Sequence, residues 1–161
     1  MLVFLDTEFT DFVQMDLISV GLITEDGREF YGERNDYRQE DCSDFVREEV
    51  LPLLRRFPDA RFSEVKLSFR LREWLASLGP FTLACDSLYD RDLLINLLVD
   101  MPPNFEGWLN LNDHMSEAYR QAEAAFHDQG RPWHHALYDA QAMLAGWLAA
   151  TTRNDQSETS T

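Results

Sequence analysis

A chain of 161 residues, 45% hydrophobic and 27% charged, holds enough apolar material for one domain with its own core, which sets aside a disordered or fibrous chain. No apolar stretch approaches the ~20 residues that cross a bilayer, and the N-terminus lacks the basic flank and apolar region of a secretion signal, so a cytoplasmic protein is expected. The net charge of −15, from 29 acidic and 14 basic residues, repels polyanions and denies the chain the counterion-release affinity of an ordinary nucleic-acid binder, while clustered carboxylates attract divalent cations.

In chain order, the apolar run Leu2 to Leu5 predicts a buried strand over 2–6. In "DLISVGLITEDGREFYGE" apolar and β-branched residues flank Asp26-Gly27, a hairpin turn pair, so 17–24 and 28–33 should lie antiparallel. From Asp41 the period becomes helical: Phe45, Val46, Val50, Leu53 and Leu54 share a face, with Pro52 as a kink or break. Ser63 caps a helix that Gly79 ends. A short strand follows at 80–85, then a helix at 87–101 stopped by Pro102 and Pro103. "GWLNLN" is a last strand, "DHMSEAYRQAEAAFHDQG" a helix and "HALYDAQAMLAGWLAA" the final one. This order defines an α/β fold: a single domain over 1–150 with a mixed five-stranded sheet flanked by helices, and a tail over 151–161 without apolar periodicity, expected to be disordered. Cys42 and Cys85 lack metal-ligand or disulfide spacing and are expected as plain buried thiols.

Three stretches carry chemistry. In "FLDTEF" the strand runs into Asp6 and Glu8. Residues i and i+2 of a strand share a face, so both carboxylates project together with no basic residue before Arg28. A divalent metal would relieve the repulsion; the alternative is a pair of solvated acids beyond the strand. In "ACDSLYDRDLL" Asp86 fits a helix cap, while Asp90 and Asp92 lie deeper, either as site residues or as a solvated face. In "RPWHHALYDAQAM" His134 precedes Asp139 by five positions, at a junction where an imidazole and a helix carboxylate can face one site; a surface histidine is the plain alternative. His114 and His127 lack such companions and are expected at the surface or in packing.

Taken together, these motifs resemble the DEDD-type 3′–5′ exonucleases of the histidine subclass, the superfamily of ribonuclease T and oligoribonuclease. "FLDTEFTD" is similar to that family's first motif, "LISVGLI" to its second strand and "HHALYDA" to its H-x4-D motif, over residues 3 to about 146. The tyrosine subclass would need tyrosine at 135, which is histidine. Length and the first motifs look closest to a small bacterial 3′–5′ exoribonuclease group.

The resemblance implies a ribonuclease-H-like fold and two Mg²⁺ or Mn²⁺ ions held by Asp6, Glu8, Asp90 and Asp139. His134 would be the general base, with His135 as runner-up. Asp90 keeps the family's spacing in the second motif, where most members have an asparagine four positions earlier; here that position is Asp86, either an extra acid or the cap. Asp92 is the less favoured replacement. The implied reaction releases nucleoside 5′-monophosphates from the 3′ ends of single-stranded RNA or 3′ overhangs. The alternatives are the same chemistry on DNA and a non-catalytic partner-binding domain. Thr7, Phe9 and Trp133 are the candidate substrate contacts. Phe12 is either a stacking or a core residue. The basic residues between Arg55 and Arg72 form either a phosphate patch or a solvated face, and a homodimer is implied.

Overall fold

The computed structural model describes residues 1–158. Its sheet has six strands in the order β4-β3-β2-β1-β5-β6, one more than expected. The strands are β1 (Leu2–Phe9), β2 (Leu17–Thr24), β3 (Glu29–Arg34), β4 (Arg61–Phe62), β5 (Phe81–Cys85) and β6 (Phe105–Asn110), and the helices α1 (Glu64–Ala76), α2 (Leu88–Leu98), α3 (Glu117–His127) and α4 (Ala136–Glu158). β1, β2 and β3 run antiparallel, while β5 is parallel to β1 and β6 to β5. The hairpin turns at Gly27, whose φ of +85° is open to glycine at little cost. The sixth strand, β4, is a two-residue parallel pairing onto β3, too short to leave a periodic signal.

The helix expected from Asp41 does not form. Residues Val46–Val50 make one wide π turn and Leu51–Leu53 a tight 3₁₀ turn. Pro52 supplies no N–H to continue the ladder, and the chain leaves through Arg55 at φ +69°. Val46 and Val50 still bury against Ile18 and Cys42, so the apolar spacing served packing without helix. The expected tail is helical as far as Glu158, because α4 continues beyond residue 150; its remainder, 159–161, lies outside the described residues.

Helices cover both sheet faces. On one, Leu67, Leu71 and Leu75 of α1, fully buried at helical spacing, join Leu94 and Leu98 of α2 against Val3 and Leu5. Each such side chain stabilises by roughly 1.5–3 kcal/mol. On the other, Ala140 and Met143 of α4 pack on Phe4 and Ile23. α4 sits unusually close to the sheet at Gly21, where an added Cβ would lie 2.3 Å from the backbone of Ala136 and Leu137. Gly21 is the register partner of Asp6, so this contact brings the start of α4 beside the first acidic motif. Cys42 and Cys85 are buried and unpaired. Among the described residues no helix is long and apolar enough to cross a membrane.

Candidate active site

β1 runs on through Phe9, so Asp6 and Glu8 stand within the strand rather than in a loop beyond it. Alternation divides the motif between the two faces. Asp6 and Glu8 face the α4 side, and Thr7 faces α2. Carboxylate oxygens of Asp6, Glu8 and Asp139 lie within 4.8 Å of one another, and so do those of Asp6, Asp86 and Asp90. Asp6 belongs to both groups. Among the described residues no Lys or Arg forms an ion pair with any of these five acids.

Burial and mutual repulsion hold these carboxyls toward their protonated forms. Asp6 is raised well above the usual range by burial first and then by Asp90, Asp139 and Glu8; Glu8 follows for the same reasons. Burial pushes Asp90 and Asp139 up to about 7 and also raises Asp86. Hard oxygen donors crowded without a protein cation fit a hard divalent ion such as Mg²⁺ or Mn²⁺.

The second motif resolves residue by residue. Asp90 is 3% exposed and accepts a 2.6 Å hydrogen bond from the Thr7 hydroxyl. Thr7 thus orients this acid, its odd strand position turning it toward α2. Asp86 is not the cap, since Ser87 accepts from the Tyr89 N–H at 3.1 Å; Asp86 stands free to join the acids. Asp92 is exposed and paired with Arg91 at 2.9 Å, outside the set.

The two adjacent histidines separate sharply. His135 is buried, stacked on Tyr31 and Tyr138 with centroids 4.7 and 4.3 Å away, and burial pushes its ring down to about 4. It is a packing residue whose backbone N–H donates to Asp139 Oδ2 at 3.1 Å. His134 is half-buried, in left-handed backbone at φ +64°, with the edge-on ring of Phe45 at 4.9 Å.

Two residues were not singled out from sequence. Tyr89, immediately before Asp90, forms an aromatic triangle with Phe9 and Phe12, with centroids 5.2–6.0 Å apart. Phe12 is 68% exposed, which removes its core-packing alternative. The mirrored signal was legible: one aromatic just after Glu8, another just before Asp90. The other residue is His127, buried rather than at the surface, with Nε2 3.3 Å from Asp139 Oδ1. No local pattern marks it, because the contact spans the α3–α4 turn. Trp133, expected to touch substrate, stacks on the His127 ring at 3.7 Å.

The basic stretch is largely committed elsewhere. Arg72 donates to the carbonyls of Leu98 and Asp100, Arg61 faces Glu33 at 3.9 Å and Lys66 lies over Phe69.

A mixed sheet with β1 at its centre, flanked by helices and carrying acids from β1, α2 and α4, is a ribonuclease-H-like architecture. The fold matches that of a moderately thermophilic exonuclease I from Methylocaldum szegediense with a TM-score of 0.62 at 16% identity, covering 97% of this chain. The chain spans 41% of the length of that exonuclease. Two Mycobacterium tuberculosis proteins, from strains CDC 1551 and H37Rv and both named 3′–5′ exoribonuclease, are each 28% identical over 169 aligned residues, covering 94% of this chain and 94% of theirs. No family model matches. The chain is thus similar, along nearly its whole length, to proteins named 3′–5′ exoribonuclease.

Proposed function

We propose that the protein is a metal-dependent 3′–5′ exoribonuclease that removes nucleoside 5′-monophosphates one at a time from single-stranded RNA ends or 3′ overhangs. The observation that carries this reading is the pair of carboxylate groups sharing Asp6, with no protein cation between them. Asp6, Glu8, Asp90 and Asp139 would hold two divalent ions, Mg²⁺ or Mn²⁺, with Asp86 as an added donor. Bound there, such ions supply activation of a water and charge neutralisation at the departing 3′ oxygen.

The chain's own residues do the rest. His134, half-buried at the junction before α4, accepts the proton of the attacking water as general base. The new P–O bond comes from that water, the bond to the 3′ oxygen breaks, and the shortened strand keeps a 3′-hydroxyl. Phe9, Phe12 and Tyr89 offer ring faces to the terminal bases, worth on the order of 1–3 kcal/mol per stacked base. Holding a single 3′ end through stacking and cations needs few phosphate contacts, which reconciles a nucleic-acid substrate with a charge of −15.

One domain over 1–150, a reducing cytoplasmic home and a homodimer complete the proposal. Buried, unpaired cysteines are at ease in a reducing compartment, and exposed Val65 and Phe69 on α1 give two copies an apolar face to bury.

The test is degradation of 5′-labelled RNA and DNA oligonucleotides with Mg²⁺, Mn²⁺ or EDTA. A stepwise 3′-shortening ladder on RNA that EDTA abolishes is the expected result. No shortening of any substrate with either metal would refute the enzyme, and shortening of DNA alone would move the substrate class.

A further inference from the structure

In a chain whose 14 basic residues face 29 acidic ones, three arginines, Arg34, Arg55 and Arg61, line one cavity of about 310 Å³. Arg34 is already satisfied by Asp16, Asp36 and Glu64. The other two are not, and both are exposed. Among the described residues no acid pairs with the Arg55 guanidinium, and Arg61 has only Glu33, at 3.9 Å. Burial raises the Tyr37 phenol, and the charges of Arg55 and Arg61 oppose that rise, so both cations bear on a single lining side chain. Asn35 and Tyr37 add neutral hydrogen-bond donors to the wall.

Glu33 organises this pair from the floor. It is 1% exposed; its Oε1 accepts from the Tyr31 hydroxyl at 3.0 Å and the Arg55 N–H at 2.8 Å, while Oε2 faces Arg61. Arg55 lies in left-handed backbone at φ +69°, where side-chain-bearing residues are uncommon, and its N–H bond to Glu33 holds it there. The buried carboxylate thus fixes the backbone of one arginine, pairs the head of the other, and leaves Arg55 as a cation without a partner. Glu33 is the register partner of Ser19, and Ser19 of Glu8. Residues directly opposed in a sheet share a face, and two strand spacings are about 10 Å. The floor therefore shares the face and the sheet end of Glu8. Tyr31 spans the interval, its ring stacked on His135 at 4.7 Å and its hydroxyl on Glu33.

We propose that the cavity is a phosphate subsite, in which the Arg55 and Arg61 guanidiniums hold one backbone phosphodiester of a single-stranded RNA upstream of its 3′ end. The inference rests on the exonuclease reading above. The three acids around Arg34 repel a multiply charged free anion more than a singly charged phosphodiester, which favours the strand as occupant.

The experiment is steady-state hydrolysis of a dinucleotide and of a single strand of about 12 nucleotides, a usual span for single-strand sites, over a range of KCl. The proteins are the wild type, Arg55→Asn, Arg55→Lys and Arg61→Gln. Asparagine tolerates left-handed backbone, so it removes the guanidinium without adding strain; Arg61→Gln gives the same readout if Arg55→Asn does not fold by circular dichroism. A dinucleotide has only its scissile phosphodiester and cannot fill the cavity, so the readout is the ratio of its KM to that of the longer strand. Arg55→Asn should shrink that ratio several-fold and flatten the slope of log KM against log salt for the longer strand by about 0.7. Arg55→Lys, which keeps the charge, should restore most of the slope. An unchanged ratio in Arg55→Asn and Arg61→Gln overturns the subsite while leaving the exonuclease standing. If inorganic phosphate inhibits dinucleotide hydrolysis by the wild type but not by Arg55→Asn, with the ratio unchanged, the cavity belongs to a free anion and the RNA subsite is overturned. No hydrolysis of either substrate by the wild type overturns the exonuclease reading, and the subsite with it.

Discussion

Two groups of acids in this molecule sit in opposite electrostatic worlds. Asp16, Asp36 and Glu64 converge on Arg34, which is 7% exposed and reaches all three through its guanidinium, with Asp36 at 3.1 Å and Glu64 at 3.0 Å. Asp36 is lowered from its usual value despite partial burial, through the Glu64 N–H and Arg34. Asp6, Glu8, Asp86, Asp90 and Asp139 have no Lys or Arg partner among the described residues, and every one is raised. The first group is complete and ties β3 to the start of α1. The second is complete only with an external cation. An acidic cluster is therefore informative when its counter-charge is missing, and the same substitution should have opposite effects in the two places.

The largest expected effect is on turnover. Asp6 is shared by both carboxylate groups, so Asp6→Asn should lower the exonuclease rate by about 10³-fold or more, some 4 kcal/mol in the barrier. It also removes a repelled charge, so the melting temperature in EDTA should stay level or rise. A fall there would mean that Asp6 is structural. Next comes Arg34→Met, which leaves three acids facing one another at a half-buried site and should cost about 3 kcal/mol of stability in urea unfolding. Unlike the acid-set variants, its loss should be the same with or without Mn²⁺.

A smaller change comes from Phe12→Ala. The ring is exposed, so stability should move by less than ~0.5 kcal/mol, while KM for a short RNA should rise roughly 5- to 30-fold through a lost stacking face. The smallest is a pH effect. Asp90 and Asp139 titrate at about 7 in the folded chain and near ~4 when unfolded, so the native state binds more protons between those limits. Stability contributed by the protonated acids is complete below the unfolded value and is lost as pH rises through about 7. In EDTA the melting temperature should fall by a few degrees between pH 5 and pH 8, and excess Mn²⁺ should flatten that slope. A flat profile in EDTA would show that these acids are solvated.

What the sequence made legible was local. Asp26-Gly27 specified a hairpin through turn geometry, Ser63 its helix through a cap, and Asp6-x-Glu8 a shared face through strand period. The helix expected at 41–57 failed because apolar spacing records burial, and Val46 and Val50 can be buried by one wide turn. The Thr7–Asp90 hydrogen bond was not legible because the partners lie 83 positions apart. Tyr89 carried a local signal, an aromatic beside Asp90 as Phe9 is beside Glu8, whereas His127 meets Asp139 only after α3 has docked on α4 and nothing in its own neighbourhood announces that.

Gly21 has a consequence beyond fitting a helix against a sheet. Since α4 meets β2 there backbone to backbone, residue 21 acts as a gauge block between Asp139 on one side and Asp6 and Glu8 on the other. Any side chain would wedge the helix outward by on the order of 1 Å, and displacement of that size can cost about 100-fold in rate. A residue with no functional group, touching neither ion nor substrate, thereby sets the tolerance to which the acidic site is assembled.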